Sequence, residues 1–119
     1  MKSTLLSTLM TTAISALLVV FAPAAQAGAD AEAAKALARQ NKCLNCHAVD
    51  KEKEGPAYKK VAEKYRGKPD AEASILKHIS LGKKVKFPDG HEEEHKIVKT
   101  TPPDDHDQIK NLIAWILEQ

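Results

Sequence analysis

The amino-acid sequence predicts an all-α domain of four helices. Three observations carry that prediction. Apolar residues recur at helical spacing in four separate stretches, capping and helix-ending residues bracket those stretches, and no βαβ pattern is present.

The chain opens on an export signal. Lys2 supplies a positive start, Ile14–Ala22 an apolar core and Ala25-Gln26-Ala27 a small-residue cleavage site, so residues 1–27 read as a secretory signal peptide. Leu5–Ala22 is long enough to consider as a membrane anchor, but serines and threonines dilute it and Pro23 ends it. The expected mature domain is residues 28–119, in which no later segment could span a membrane.

The first helix occupies Asp30–Lys42, with Asp30 placed to cap it and Ala34, Leu37 and Ala38 on one face. Ala48–Glu54 is a charged loop. Gly55-Pro56 then opens a second helix, Pro56 suiting the first helical position, with Tyr58, Val61, Ala62 and Tyr65 on one face and Gly67 at the end. Asp70 caps a third helix carrying Ala71, Ile75 and Ile79, which Gly82 closes. Lys83–Thr101 has no clear period and reads as a loop containing a Pro88-Asp89-Gly90 turn. After Pro102-Pro103, Asp104 or Asp105 caps the last helix, and Asp105 with Gln108 has capping-box spacing. Ile109, Leu112, Ile113, Ile116 and Leu117 give this helix the cleanest apolar stripe in the chain, which reads as core packing.

The formal charge is only +2, and Lys2 of the leader contributes to it, so the domain has no electrostatic footprint for nucleic acid. Outside the leader the aromatics are Tyr58, Tyr65, Phe87 and Trp115 alone. So thin a core in so small a domain calls for an additional body to close around.

Cys43-Leu44-Asn45-Cys46-His47 supplies one. It reads C-x-x-C-H, the attachment site of a c-type haem: two thiols spaced to form thioethers with the two vinyl groups, and a histidine placed to bind the iron. The chain has no other cysteine, so neither a disulfide nor a second haem competes for these two. A thioredoxin-like pair would sit beside a βαβ pattern, and a structural zinc site would ordinarily need a second cysteine pair; zinc held by Cys43, Cys46 and two distant histidines is the remaining alternative.

In this order and spacing the motifs resemble the class I c-type cytochromes, specifically the small bacterial c-551/c-552 type. The likeness rests on the N-terminal helix, the C-x-x-C-H turn, Gly55-Pro56-Ala57-Tyr58 with Val61 and Tyr65, the Pro102-Pro103 pair, and Ala114-Trp115-Ile116-Leu117 in the last helix. The resemblance implies a small cytochrome c fold, four helices around one covalently bound haem c, with the terminal helices crossing. It implies that Cys43 and Cys46 bind the haem, that His47 is the proximal iron ligand, and that the Pro56 carbonyl accepts a hydrogen bond from the other nitrogen of the His47 ring, fixing its tautomer. Trp115 falls beside the apolar stripe, where indole packing is expected. His78 sits where relatives often carry a basic residue near a haem propionate; an ordinary exposed helix histidine is the competing reading.

One departure matters. The family's distal loop ends in Met-Pro-Pro, the methionine sulfur binding iron, whereas here the triplet is Thr101-Pro102-Pro103 and both methionines, Met1 and Met10, lie in the leader. Three arrangements remain open: a loop histidine as sixth ligand, a sixth position open to small ligands, or a deprotonated lysine such as Lys96 or Lys99. Imidazole is the best ligand of these, and of His91 and His95 the second lies nearer to where the family's loop crosses the distal face. His106 is poorly placed, in a turn the family aims away from iron. His91-Glu92-Glu93-Glu94-His95 also matches the zinc-protease pattern H-E-x-x-H, which needs both histidines on one helix face, a third ligand and a cleft for which this domain has little room.

The functional expectation is a periplasmic monohaem electron carrier, not an enzyme. Its axial ligation would be non-methionine, bis-histidine by preference, and its potential low because imidazole favours ferric iron over ferrous. Its partners would be redox proteins (an oxidase, reductase or dehydrogenase), with the chain a monomer, free of the membrane after cleavage and binding no nucleic acid. Lys42, Lys51, Lys53, Lys59 and Lys60 could steer an acidic partner, although Asp50, Glu52 and Glu54 interleave with them. The alternative is a haem protein that binds NO or CO at an open sixth position. A peroxidase-like enzyme using His91 or His95 as acid and base ranks behind both.

Overall fold

The computed structural model describes residues 28–119; the leader assigned to residues 1–27 lies outside the described residues. The elements are α1 (Ala31–Gln40), α2 (Cys43–Cys46), α3 (Tyr58–Tyr65), α4 (Ala71–Ser80), β1 (Lys84–Lys86), β2 (Glu92–Glu94) and α5 (His106–Leu117). The four expected helices are present, with one helical turn and a two-stranded antiparallel sheet added.

The terminal helices are capped as their sequences dictate. Asp30 accepts from the Ala33 amide at 3.0 Å, and Asp105 accepts from the Asp107 and Gln108 amides, both at 3.1 Å. Each bond satisfies an amide that the first turn leaves without an intrahelical partner. The capping box at Asp105 is not reciprocal: the Gln108 amide group donates to the Asp105 carboxylate and the Thr101 carbonyl, while the Asp105 amide donates to the Thr100 hydroxyl. At α4, Asp70 is the N-cap residue but binds Ser74 Oγ rather than a free amide.

Helix α5 is the hub, packing against α1, α3 and α4. Its Leu112 and Ile113 are almost wholly enclosed and meet Ala34, Leu37 and Ala38 of α1 and Ile75 and Ile79 of α4 in one apolar cluster. Trp115 packs into that cluster as expected, with its ring edge-on to Tyr58 at 5.4 Å.

Two local expectations are corrected. Pro56 does not open α3: Ala57 is the N-cap, and the first helical bond runs from the Val61 amide to the Ala57 carbonyl, which leaves the Pro56 carbonyl unused by the helix. The supposed loop after α4 holds a hairpin in which Lys84, Val85 and Lys86 oppose Glu94, Glu93 and Glu92. It carries no apolar alternation. Opposite charges face each other across the strands instead, and Gly90 takes the left-handed conformation its turn requires.

Candidate haem site

The proximal side is built by a short stretch of chain folded back on itself. Lys42 enters the turn in a left-handed conformation, α2 makes one helical turn, and the His47 amide closes it on the Cys43 carbonyl at 3.0 Å. The following loop returns along the motif. The Gly55 amide donates to the Cys46 carbonyl at 2.7 Å, and the Tyr58 and Lys59 amides donate to the Ala48 and Val49 carbonyls, both at 2.9 Å. This brings the free Pro56 carbonyl to 2.7 Å from His47 Nδ1. A carbonyl can only accept, so Nδ1 carries the proton and Nε2 presents its lone pair outward.

Gly55 is tied to this geometry in a way the sequence did not disclose. A Cβ there would lie 2.5 Å from His47 Cε1 and 2.9 Å from both ring nitrogens, so only glycine lets the imidazole lie against the chain. The expected bond between Pro56 and His47 was the available signal, since it forces the preceding residue under the ring. On its other side the ring stacks on Tyr58 at 5.2 Å.

Cys43 and Cys46 are both free and partly exposed on α2. Burial pushes the Cys43 thiol up. Burial and then the hydrogen-bonded Glu54 carboxylate push up that of Cys46. Neither has the depressed thiolate pKa of a thioredoxin-like pair.

Near His47 the chain supplies a second imidazole. His95 follows β2 directly, and its ring centre lies 6.2 Å from that of His47. His95 Nδ1 donates to the Lys96 carbonyl at 2.9 Å, so here too Nε2 holds the free lone pair. Burial, with the neighbouring His47, holds the His95 ring below the ordinary imidazole value despite the opposing pull of the Lys96 carbonyl. His78 stands behind it, half-buried, with its ring centre 4.3 Å from that of His95. Burial first, then His95, His47 and the cations of Lys64 and Lys83, lower its pKa as well.

The other sequence candidates lie apart. His91 stacks on Phe87 at 4.3 Å and pairs with Asp89 at the turn of the hairpin. Because β2 is extended, the backbones of His91 and His95, which flank it, stand about 13 Å apart, so the two cannot share a helix face as the H-E-x-x-H pattern requires. His106 begins α5 and Thr101 is exposed. Of the lysines near the motif, Lys53 turns back to the Leu44 carbonyl at 2.8 Å and Lys60 lies 3.8 Å from Glu63.

The residues present fit a covalently attached haem. Two thiols stand at the required spacing, and two histidine rings lie near each other, each with its Nδ1 bonded to a main-chain carbonyl. Two imidazoles bonded from opposite sides to one iron at about 2 Å would place their ring centres about 6 Å apart, close to the separation found.

Fold and site together define a small c-type haem protein. The chain belongs to the cytochrome c family, whose model, described as cytochrome c, matches residues 31–119. Among solved structures it is similar to the class 1 cytochrome MtoD from Sideroxydans lithotrophicus ES-1, at 59% identity and a TM-score of 0.71 over 76% of this chain and 97% of that one. It is also similar to cytochrome c552 of Nitrosomonas europaea, at 30% identity and a TM-score of 0.53 over 70% of this chain and 95% of that one. Cytochrome c-551 of Pseudomonas aeruginosa is 33% identical over 94 residues, which are 77% of this chain and 82% of that protein. Members of the family bind one covalent haem c, as does this chain, and these relatives are electron-transfer proteins rather than enzymes.

Proposed function

We propose that the protein is a periplasmic monohaem electron carrier whose iron is held between His47 and His95 and works at a low potential. The haem supplies the one-electron chemistry, its iron alternating between ferric and ferrous states. Cys43 and Cys46 anchor the group through thioethers. His47 binds the iron from the proximal side, and its orientation is maintained by the Pro56 carbonyl and the Gly55 backbone. His95 binds from the distal side in place of the family's methionine. A second imidazole favours the ferric state more than a thioether does and so lowers the potential. Exchange of electrons is with other redox proteins, the carrier acting as a monomer without membrane or nucleic-acid partners.

One observation carries this reading: two imidazoles lie with ring centres 6.2 Å apart and planes inclined at 51°, and each has its Nδ1–H committed to a main-chain carbonyl. Lys96 and Lys99, the lysine alternatives, are exposed and would need to lose a proton before binding iron.

Optical spectra of the purified holoprotein, ferric and ferrous, with and without CO, test the reading. Low-spin spectra in both states that lack a methionine–iron band and change only slowly on addition of CO are expected. A high-spin ferrous form that takes up CO at once would replace this reading with that of a small-ligand-binding haem protein.

A further inference from the structure

The chain contains two asparagine staples of the same design. Asn111 on α5 pairs with the backbone of Asp30: its Oδ1 accepts from the Asp30 amide at 2.8 Å and its Nδ2 donates to the Asp30 carbonyl at 2.9 Å. Asn41, at the end of α1, pairs in the same way with the backbone of Lys99: Oδ1 accepts from the Lys99 amide at 2.7 Å and Nδ2 donates to the Lys99 carbonyl at 2.9 Å. The first staple joins the start of α1 to α5. The second joins the residue two positions before Cys43 to the segment that follows His95.

Helix capping does not account for the Asn41 side chain. The Leu37 carbonyl already accepts from the Asn41 main-chain amide at 3.1 Å, so the additional side-chain bond to it at 3.0 Å leaves no orphan group satisfied. The Lys99 pairing is the distinctive contact, and it spans 58 positions in sequence.

The segment it holds has little else. Residues 95–100 form no helix or strand. Its other main-chain ties are the His95 amide to the Lys83 carbonyl and the Val98 amide to the Ile79 carbonyl, both at 2.9 Å. Ile97 and Lys99 are exposed, so apolar packing anchors only Val98 here, while the buried Thr100 hydroxyl donates to the Pro102 carbonyl and accepts from the Asp105 amide. A backbone pinned at 95, 98 and 99 has one place for the His95 ring. Without the pin at 99 the ties at 95 and 98 remain, but the segment loses the two bonds that fasten it to the chain entering the haem-attachment turn.

We propose that Asn41 is a positioning residue for the distal imidazole: it fastens the segment after His95 to the chain entering the haem-attachment turn, and so keeps the sixth iron position closed. The inference rests on the reading of His95 as the distal ligand. In a six-coordinate haem an external ligand binds only from the fraction of molecules in which the distal side chain has left, so its binding rate reports that fraction. Two lost hydrogen bonds correspond to a rise in the open fraction of about tenfold or more.

Stopped-flow CO binding to the ferrous holoprotein tests this in wild type, Asn41→Ala, Asn41→Asp and Asn111→Ala, with a melting curve for each. Asn111→Ala breaks an equivalent pair of bonds away from His95 and is the control for general loosening. Asn41→Asp keeps the acceptor for the Lys99 amide and is the milder variant should alanine prevent folding. The expected result is slow CO binding in wild type and Asn111→Ala, at least about tenfold faster binding in Asn41→Ala, and a smaller increase in Asn41→Asp. Unchanged rates in both Asn41 variants would overturn the inference while leaving His95 as ligand, and so would equal increases at Asn41 and Asn111. A wild type that is already open to CO would overturn the distal reading and this inference with it.

Discussion

Replacing Gly55 by alanine probes the proximal side at its tightest point. The new Cβ would stand 2.5 Å from His47 Cε1, against an ordinary carbon–carbon contact of about 3.5 Å. Roughly 1 Å must therefore be found, by moving the imidazole or by moving the 55–56 backbone. The Gly55 amide is held to the Cys46 carbonyl at 2.7 Å, so the backbone resists. Either movement disturbs the 2.7 Å bond between His47 Nδ1 and the Pro56 carbonyl. Overpacking of this kind costs about 1–3 kcal/mol and a lost hydrogen bond about 1 kcal/mol more. For a domain of this size a loss of about 2–4 kcal/mol lowers the melting temperature by at least about 8 °C. The displacement also turns the proximal ring against the iron, which should change the ferric EPR signal and the potential of the holoprotein. Unchanged melting, EPR and potential in Gly55→Ala would refute the claim that the glycine is there for the imidazole.

Three further outcomes follow from the same structure. His95→Met should restore a thioether ligand and raise the reduction potential in a spectroelectrochemical titration; an unchanged potential would remove His95 from the iron. Leu112→Ala, at one of the two most enclosed positions of α5, should cost about 2–5 kcal/mol in denaturant unfolding while leaving the visible spectrum of the folded protein intact. Asp105→Ala should destabilise the protein at neutral pH, with the difference closing in acid. Hydrogen bonds from Gln108 and the Asp107 amide hold the Asp105 carboxyl below the usual carboxylate range. A depressed folded pKa contributes stability that is present above the unfolded value and is lost as pH falls through the folded one. Melting curves of both proteins from neutral pH down to below that range would show the two converging; a constant gap would contradict the role given to the ionised cap.

What the sequence discloses and what it hides divide by distance along the chain. The four main helices are written locally, in the apolar spacing of Ala34, Leu37 and Ala38 or of Leu112, Ile113 and Ile116, and in caps such as Asp30 and Asp105. Cys43, Cys46 and His47 are equally local, because one helical turn places all three. The hairpin is not, since Lys-Val-Lys and Glu-Glu-Glu have no apolar alternation; their complementary charge on either side of Pro88-Asp89-Gly90 was the only signal. That hairpin separates His91 from His95, because an extended strand puts one at the turn and delivers the other beside His47. The contact of His78 with His95 and the Asn41 staple depend on residues far apart in sequence, which no periodicity records. Pro56 misled in a physical way: helix propensity assigned it to α3, but its carbonyl is taken by His47 and the helix begins beyond it.

In the proposed site two imidazoles, from His47 and His95, hold the iron. Pulsed EPR of the ferric holoprotein grown with isotopically labelled histidine counts the imidazole nitrogens bound to the iron directly. Two equivalent labelled nitrogens are expected in wild type and one in His95→Ala. A single labelled nitrogen in wild type, or two that survive in His95→Ala, would contradict this ligation.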